Sequence, residues 1–427
     1  MDKKIYDTYV EILKQELVPA LGCTEPIAIA YAAAKARSVL GCMPEKVELY
    51  CSGSIIKNVK AVTVPNSGGM KGIEVAAMLG IVGGDADQEL EVLQSVTEED
   101  IAKAKELLAQ GICHFDLAQD PDNLYILVDV AGGSHTAQVE IKTYHTNITK
   151  IVKDGEVLFV RNQDHTASIS GEESVDKTLL NVRDILTFAN EVKIEDIQEV
   201  LDRQIEFNSA IAKEGLTNDY GVKVGKNLLE NYGTDDVRVR AKAMAAAGSD
   251  ARMSGCALPV VINSGSGNQG MTVSLPIIEY AKDMGATHEQ MLRALTVGNL
   301  IAVHQKRYIG SLSAFCGAVC AGTAAGCGIA YLHGADYDEI CRIIINSLAN
   351  VGGIVCDGAK PSCAAKIASS VDSALMAWNL RKDGDVFADG EGLVKGDIES
   401  TIQSITRMGR EGMKSTNEEI LNIMVGK

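Results

Sequence analysis

Apolar residues at Ile5, Tyr9, Ile12, Leu13 and Leu17 recur at the spacing of one helical face, and an Ala-rich stretch beyond a turn at 22–26 continues the helical reading through residue 35. From about Val47 the period shortens. The segments VELYCSG, VKAVTVP, LYILVDVA, the alternating AQVEIK, and IVKDGEVLFV read as strands, and the Asp154-Gly155 pair inside the last is a hairpin signal. Helical pieces interrupt them at 72–79 and 98–110. Beyond Ser170 the strand signals fade. Helical spacing returns with Val175, Leu179, Val182 and Leu186, and continues through 194–214 and 237–247 into alternating Ala-rich helices and Gly-rich breaks. The tail, 398–424, is an ordinary charged amphipathic pattern.

This pattern predicts an α+β protein: N-terminal helices, an α/β segment with antiparallel strands, and a mostly helical C-terminal half. Its 427 residues fit two to three domains at roughly 100–200 residues each. The expected divisions are 1–43, a helical segment packing on the C-terminal domain; 44–170, the α/β domain; and 171–427, the helical domain. Apolar residues at 46% and charged residues at 23% exclude fibrous and long disordered classes. A net charge of −17 repels phosphate backbones and anionic lipid, so neither nucleic acid nor a membrane surface is an expected partner. The uncharged stretch 308–332 is long enough to cross a bilayer, but its Gly, Ala, Ser and Cys content reads as buried helix or loop. With no apolar leader and no small-residue cleavage site at the N-terminus, a cytoplasmic location is expected.

The composition leans small, with 41 Gly against 6 Phe and 1 Trp, which lets backbones approach each other or a ligand closely. Eleven Cys, an odd number, cannot all pair. In a reducing compartment such thiols are buried hydrophobes, metal ligands or catalysts. In Gly22-Cys23-Thr24-Glu25-Pro26, Thr24 suits a helix N-cap and Pro26 the first turn. Cys23 would then stand at the positive end of a helix dipole, where a thiol pKa falls. Cys356 and Cys363 bracket a Gly/Pro loop that can wrap an iron–sulfur cluster, with Lys360 to balance charge. Cys316 and Cys320 could share a helix face. No C-x2-C pair occurs, so zinc ribbons and ferredoxin-type runs are unmatched.

The run Asn263-Ser264-Gly265-Ser266-Gly267-Asn268-Gln269-Gly270 contains a literal G-x-G-x-x-G after an apolar stretch. Pro276 in the segment that should cradle a dinucleotide, and helical flanks in place of a βαβ unit, argue against that use. The glycines and serines can still form a nest for a carboxylate, with Asn268 and Gln269 adding donors. Asn66-Ser67-Gly68-Gly69 and the basic run His304-Gln305-Lys306-Arg307 are further candidates. The latter could attract a substrate carboxylate, and equally could be a solvated face or internal ion pairs.

Taken together, GCTEP, SGSGNQG and the trio Cys316, Cys356 and Cys363 resemble the iron–sulfur-dependent L-serine dehydratase alpha-chain superfamily, on the side of its single-chain L-cysteine desulfidase branch. The similarity spans essentially the whole chain. The resemblance implies a 4Fe–4S cluster, labile in air, held by Cys316, Cys356 and Cys363, with Cys23 acting at the open iron as base or as displaceable fourth ligand. It also implies an amino-acid substrate bound by Thr24, Glu25, Asn66, Ser67, Ser264, Gly265, Ser266, Gly267, Asn268 and Gln269. Cys320, Cys327 and Cys341 are left as structural. No strong PLP-lysine context is present, so a Lewis-acidic iron would substitute for that electron sink. The expected activity is α,β-elimination of L-cysteine to pyruvate, ammonia and hydrogen sulfide. L-serine is the rival substrate, a dinucleotide-dependent oxidoreductase the rival class, and a non-catalytic amino-acid binder the third reading. Small-residue surfaces leave room for a homodimer.

Overall fold

The computed structural model describes residues 1–120, 122–161, 175–310, 312–380 and 384–426; the division expected at residue 170 lies outside them. In chain order α1 (Lys3–Glu16), β1 (Pro19–Leu21) and α2 (Thr24–Leu40) lead into β2 (Lys46–Cys51), α3 (Gly53–Val59), α4 (Ile73–Gly83) and α5 (Glu98–Ala109). The strands β3 (Cys113–Leu117), β4 (Tyr125–Gly132), β5 (His135–Lys142), β6 (Ile148–Lys153) and β7 (Glu156–Val160) follow. Then come α6 (Val182–Glu191), α7 (Gln198–Thr217), α8 (Val224–Tyr232), α9 (Val237–Met253), β8 (Pro259–Val261), α10 (Gly267–Asp283) and α11 (His288–Lys306). The chain closes with α12 (Gly317–Leu332), α13 (Tyr337–Val351), α14 (Cys363–Leu380), α15 (Ile398–Arg407) and α16 (Lys414–Val425).

The fold is α+β. Its six-stranded sheet has the order β3-β2-β4-β5-β6-β7, antiparallel throughout except for the parallel β2–β3 pair. Alternation along β4 and β5 buries Ile126, Val128, Val130, Val139 and Ile141 against α2, and α4 covers α2 in turn. Asp154 and Gly155 take positive φ values of 50° and 84°, the geometry a two-residue hairpin between twisted strands requires.

Two expectations are corrected. VKAVTVP is not a strand: Ser52 caps α3 over Gly53–Val59, and only Thr63 makes an isolated bridge, to Lys71. The β-branched composition misled because Val59 ends a short helix and Val62, Thr63 and Val64 are buried in the irregular segment that follows it. Nor do residues 1–43 pack as one unit on the helical half. α1 and β1 touch α11 and β8, whereas α2 lies on the sheet and α4, since its all-round small apolar surface suits burial on both sides.

In the helical half, α12 runs centrally among α10, α11, α13 and α14. Gly322 packs on the Ser370 backbone of α14, and Gly328 on Ala294 O of α11 and Ile277 of α10, where any β-carbon would overlap. Within the uncharged 308–332 stretch α12 is therefore core, and no helix among the described residues is long and apolar enough to cross a membrane. α10 carries Pro276 without ending. The dinucleotide reading fails on topology: among the described residues β8 pairs only with β1, antiparallel, and no βαβ unit surrounds the G-x-G-x-x-G.

Asp250, on α9, accepts from Gly225 N at 2.9 Å while its Oδ1 is buried without a partner, and burial pushes its pKa from 3.8 to about 6. The folded state thus binds this proton more tightly than the unfolded chain. The resulting contribution is fully present below about pH 4 and is lost as pH rises through about 6. Asp250→Asn keeps an acceptor for Gly225 N–H and should flatten that segment of the stability profile, raising stability at pH 7 relative to the parent in urea unfolding series; an unchanged slope would contradict the assignment.

Candidate active site

Two short ladders assemble the site. The antiparallel β1–β8 pair, with Pro19 opposite Val261 and Leu21 opposite Pro259, brings GCTEP beside SGSGNQG from 240 residues away. The isolated Phe315–Val355 bridge, with Cys316 N donating to Ile354 O at 3.0 Å and Cys356 N to Ala314 O at 2.6 Å, sets Cys316 alongside Cys356. Gly358 then turns the following loop at φ 99° against the Lys57 carbonyl of α3, and Cys363 begins α14.

The result is a cleft of about 720 Å³, mouth included, whose lining contains Cys316, Cys356 and Cys363 together with Glu25, Ser266, Asn268 and Gln269. Arg252, Asn58, Lys306 and Phe315 complete it. Cys23, Ser266 and Cys316 are the N-caps of α2, α10 and α12, and none makes a side-chain capping bond. The N-caps Asp2, Thr97, Thr287, Asp336 and Asp397, which head α1, α5, α11, α13 and α15, all do. The first-turn N–H groups of α2, α10 and α12 thus receive no bond from their own N-cap side chains, as is also true of α4, α7, α8 and α16.

Polar contacts fix the substrate-side wall. Arg252 donates from Nε to Gly22 O at 2.9 Å and from Nη1 to Asn268 Oδ1 at 3.1 Å, joining the two motifs. Thr24 Oγ1 donates to Gly265 O at 3.1 Å, and Asn58 Nδ2 to Glu25 Oε1 at 2.8 Å. Gln269 is held against Gly317, where any side chain would overlap it. Lys57 donates to Cys356 O at 3.4 Å and Asn417 Oδ1 at 2.6 Å, tying α16 to the cysteine loop. Burial lowers the pKa of both Lys57 and Lys306, with nearby cysteines, Cys356 among them, opposing.

All cysteines are free of disulfides. Burial pushes the Cys316 thiol up to about 12, and the neighbouring Cys356 and Cys363 push it further in the same direction; Cys363 is raised by burial and by Cys356. Cys316, Cys356 and Cys363 all line the same cleft. Cys23 corrects an expectation. Its thiol, 1% exposed, is pushed from 9.0 to about 12, burial outweighing Arg252. That rise corresponds to roughly 4 kcal/mol, against ~0.3–1 kcal/mol, at most ~2, from a helix terminus. Cys23 lies behind the cleft wall, within reach of the charges of Glu25, Arg252 and Cys363.

Other candidates separate. Thr24 is the first residue of α2 and not its cap. Asn66 Nδ2 donates to Leu93 O at 2.9 Å and Ser67 Oγ to Met70 O at 3.0 Å, so both hold a turn and neither lines the cleft. Ser264 and Gly265 face an adjoining cavity, and Gly267 packs on Arg252. His304 pairs with Glu399 at 2.6 Å, away from the cleft, leaving Lys306 as the member of the basic run that lines it. Cys320 and Cys327 are buried inside α12. Sequence reasoning missed Arg252, Asn58 and Lys57, which lie in no motif. Among the described residues, no three His, Cys, Asp or Glu side chains crowd closely enough to chelate a single ion.

Residues 87–422 match the family model described as "Serine dehydratase alpha chain". The chain belongs to this family. A UPF0597 protein of Lachnoclostridium phytofermentans is 54% identical over 421 residues, covering 99% of this chain and 100% of the relative. Another from Desulfitobacterium hafniense is 52% identical over 424 residues, covering 99% and 98%, and one from Treponema denticola is 46% identical, covering 100% and 99%. Membership in the serine dehydratase alpha-chain family supports a related, lyase-like enzyme of amino-acid breakdown.

Gly22 has φ 64°, and a β-carbon there would overlap the Pro65 ring. Gly22→Ala should therefore displace Cys23 and the Arg252 contact and cost on the order of 2 kcal/mol or more. A melting temperature equal to that of the parent would refute this packing.

Proposed function

We propose that this chain is a cluster-dependent lyase that eliminates the β-substituent of a small L-amino acid, with L-cysteine as substrate and L-serine as its rival. The observation that carries the reading is the convergence of Cys316, Cys356 and Cys363, from three separate elements, on a cleft with a polar wall of amino-acid size. The donor set fits a 4Fe–4S cluster. Thiolate sulfur is the soft ligand iron prefers, and a cubane binds each thiolate through a different iron, which calls for sulfurs spread around a cavity and not crowded on one ion. Uncapped helix N-termini and the cations Lys57 and Lys306 would help balance its negative charge, while Lys360 and Lys366 are paired with Asp357.

When bound, such a group supplies a Lewis-acidic iron able to hold the substrate carboxylate and the leaving atom. The protein's own residues bind and orient. Asn268, fixed by Arg252, and Gln269, fixed on Gly317, would donate to the carboxylate. Glu25, held by Asn58 and Thr24, would take the ammonium. The Cα proton leaves to a base as the Cβ–S bond breaks, sulfur departs as hydrosulfide, and the aminoacrylate adds water to give pyruvate and ammonia. Burial pushes the Cys23 thiol up to about 12, so Cys23 would serve as that base only once it has given up its proton.

Anaerobically purified protein should contain iron and sulfide and show cluster absorbance. Cys316→Ser, Cys356→Ser and Cys363→Ser should each lose iron and activity together, while Cys23→Ala should lose turnover and keep much of the iron. Full iron retention in Cys316→Ser would sink the ligand assignment. Anaerobic pyruvate formation should be faster from L-cysteine than from L-serine; the reverse order would make serine the substrate.

A further inference from the structure

Behind the SGSG turn lies a second cavity, of about 650 Å³ with its mouth, that the lyase reading does not use. Its walls are Glu16 and Lys177, the hairpin residues Thr143, Tyr144 and His145, the turn residues Ser264 and Gly265, and Lys306 and Arg307. In a chain of net charge −17, three cations and one carboxylate meet here. Glu16 is already engaged, by Lys177 and by Ser264 N at 3.0 Å, so excess positive charge remains.

Two buried polar groups in this wall lack partners. His145 is 4% exposed and its Nε2 has no hydrogen bond; its ring packs on Gly265, 3.6 Å from where a β-carbon would stand. Arg307 spends its terminal nitrogens on the carbonyls of Lys177 and Leu180 and on Tyr308 Oη, and leaves Nε buried and unmet. A buried donor without a partner costs free energy that a ligand would recover. Backbone strain points the same way: Thr143, a β-branched residue, stands at φ 69° and Ser264 at φ 51°.

We infer that this cavity is a binding site for a small molecule bearing one carboxylate, recognised by Arg307, Lys177, Lys306 and His145. Two unmet nitrogens, His145 Nε2 and Arg307 Nε, match the two oxygens of one carboxylate. Lys306 lines this cavity and the cysteine cleft alike, so an occupant would be felt at the cleft.

Calorimetric titration of the anaerobic protein tests the site with two probes: L-lactate, which has no ketone to condense with a lysine, and inorganic phosphate. L-lactate should bind saturably and phosphate should not displace it. Lys177→Gln and His145→Leu should each weaken L-lactate binding about tenfold. Cys316→Ser, which removes the proposed cluster, should still bind L-lactate, so failure of the lyase reading and failure of this one are separate outcomes. Should a variant misfold, acetylation of Lys177 in the unaltered protein, followed by peptide mass spectrometry, should slow when L-lactate is present. No saturable L-lactate binding, displacement by phosphate, or Lys177 acetylation indifferent to L-lactate would overturn the proposal.

Discussion

The arrangement on which the site depends is the delivery of helix N-termini to one cleft. α2, α10, α12 and α14 begin there, with Cys23, Ser266, Cys316 and Cys363 at or beside their first turns. First-turn N–H groups have no partner within their own helix, and Cys23, Ser266 and Cys316 give α2, α10 and α12 no side-chain cap, which favours negative charge in the cleft. Thiolates, substrate carboxylate and sulfide are the kinds of group that supply it. The same preference rationalises why cysteine and serine, and not aspartate, head these helices: a permanent carboxylate would fill the site with its own charge.

Bringing those termini together needs close helix packing, and the small-residue composition supplies it. α12 is crossed by neighbours at Gly322 and Gly328, and α4 meets Ala30 of α2 at Gly80, where a side chain would strike backbone. A larger residue at any of these points would push helices apart by a distance comparable to the reach of a thiol, so the core and the site are one constraint.

Much of this was legible from sequence because the chemistry-bearing residues are local: GCTEP, SGSGNQG and the Cys356–Cys363 loop each announce a turn or helix start. The hairpin at Asp154-Gly155 and the strands β4 and β5 were legible for the same reason, since turn chemistry and alternation act within a few residues. What was not legible is what depends on partners far along the chain. β1 and β8 have three residues each, too short for any period, yet they join the two motifs. Arg252 lies in the last turn of a helix with no local mark, and acquires its role only through Gly22 and Asn268. Asn66 and Ser67 misled in the opposite sense, because the Gly-rich pattern that suits a ligand nest also suits a turn, where Ser67 serves its own backbone and Asn66 ties the turn to the Leu93 carbonyl.

Cys23 shows why residue type and position do not by themselves fix chemistry. A helix N-terminus stabilises a thiolate, but full burial of a thiol opposes it by a larger amount, and the balance lies with the neutral form. Only a cation brought to within bonding distance of the sulfur outweighs desolvation on that scale. A thiolate at Cys23 would therefore need positive charge beyond what the helix terminus and Arg252 supply.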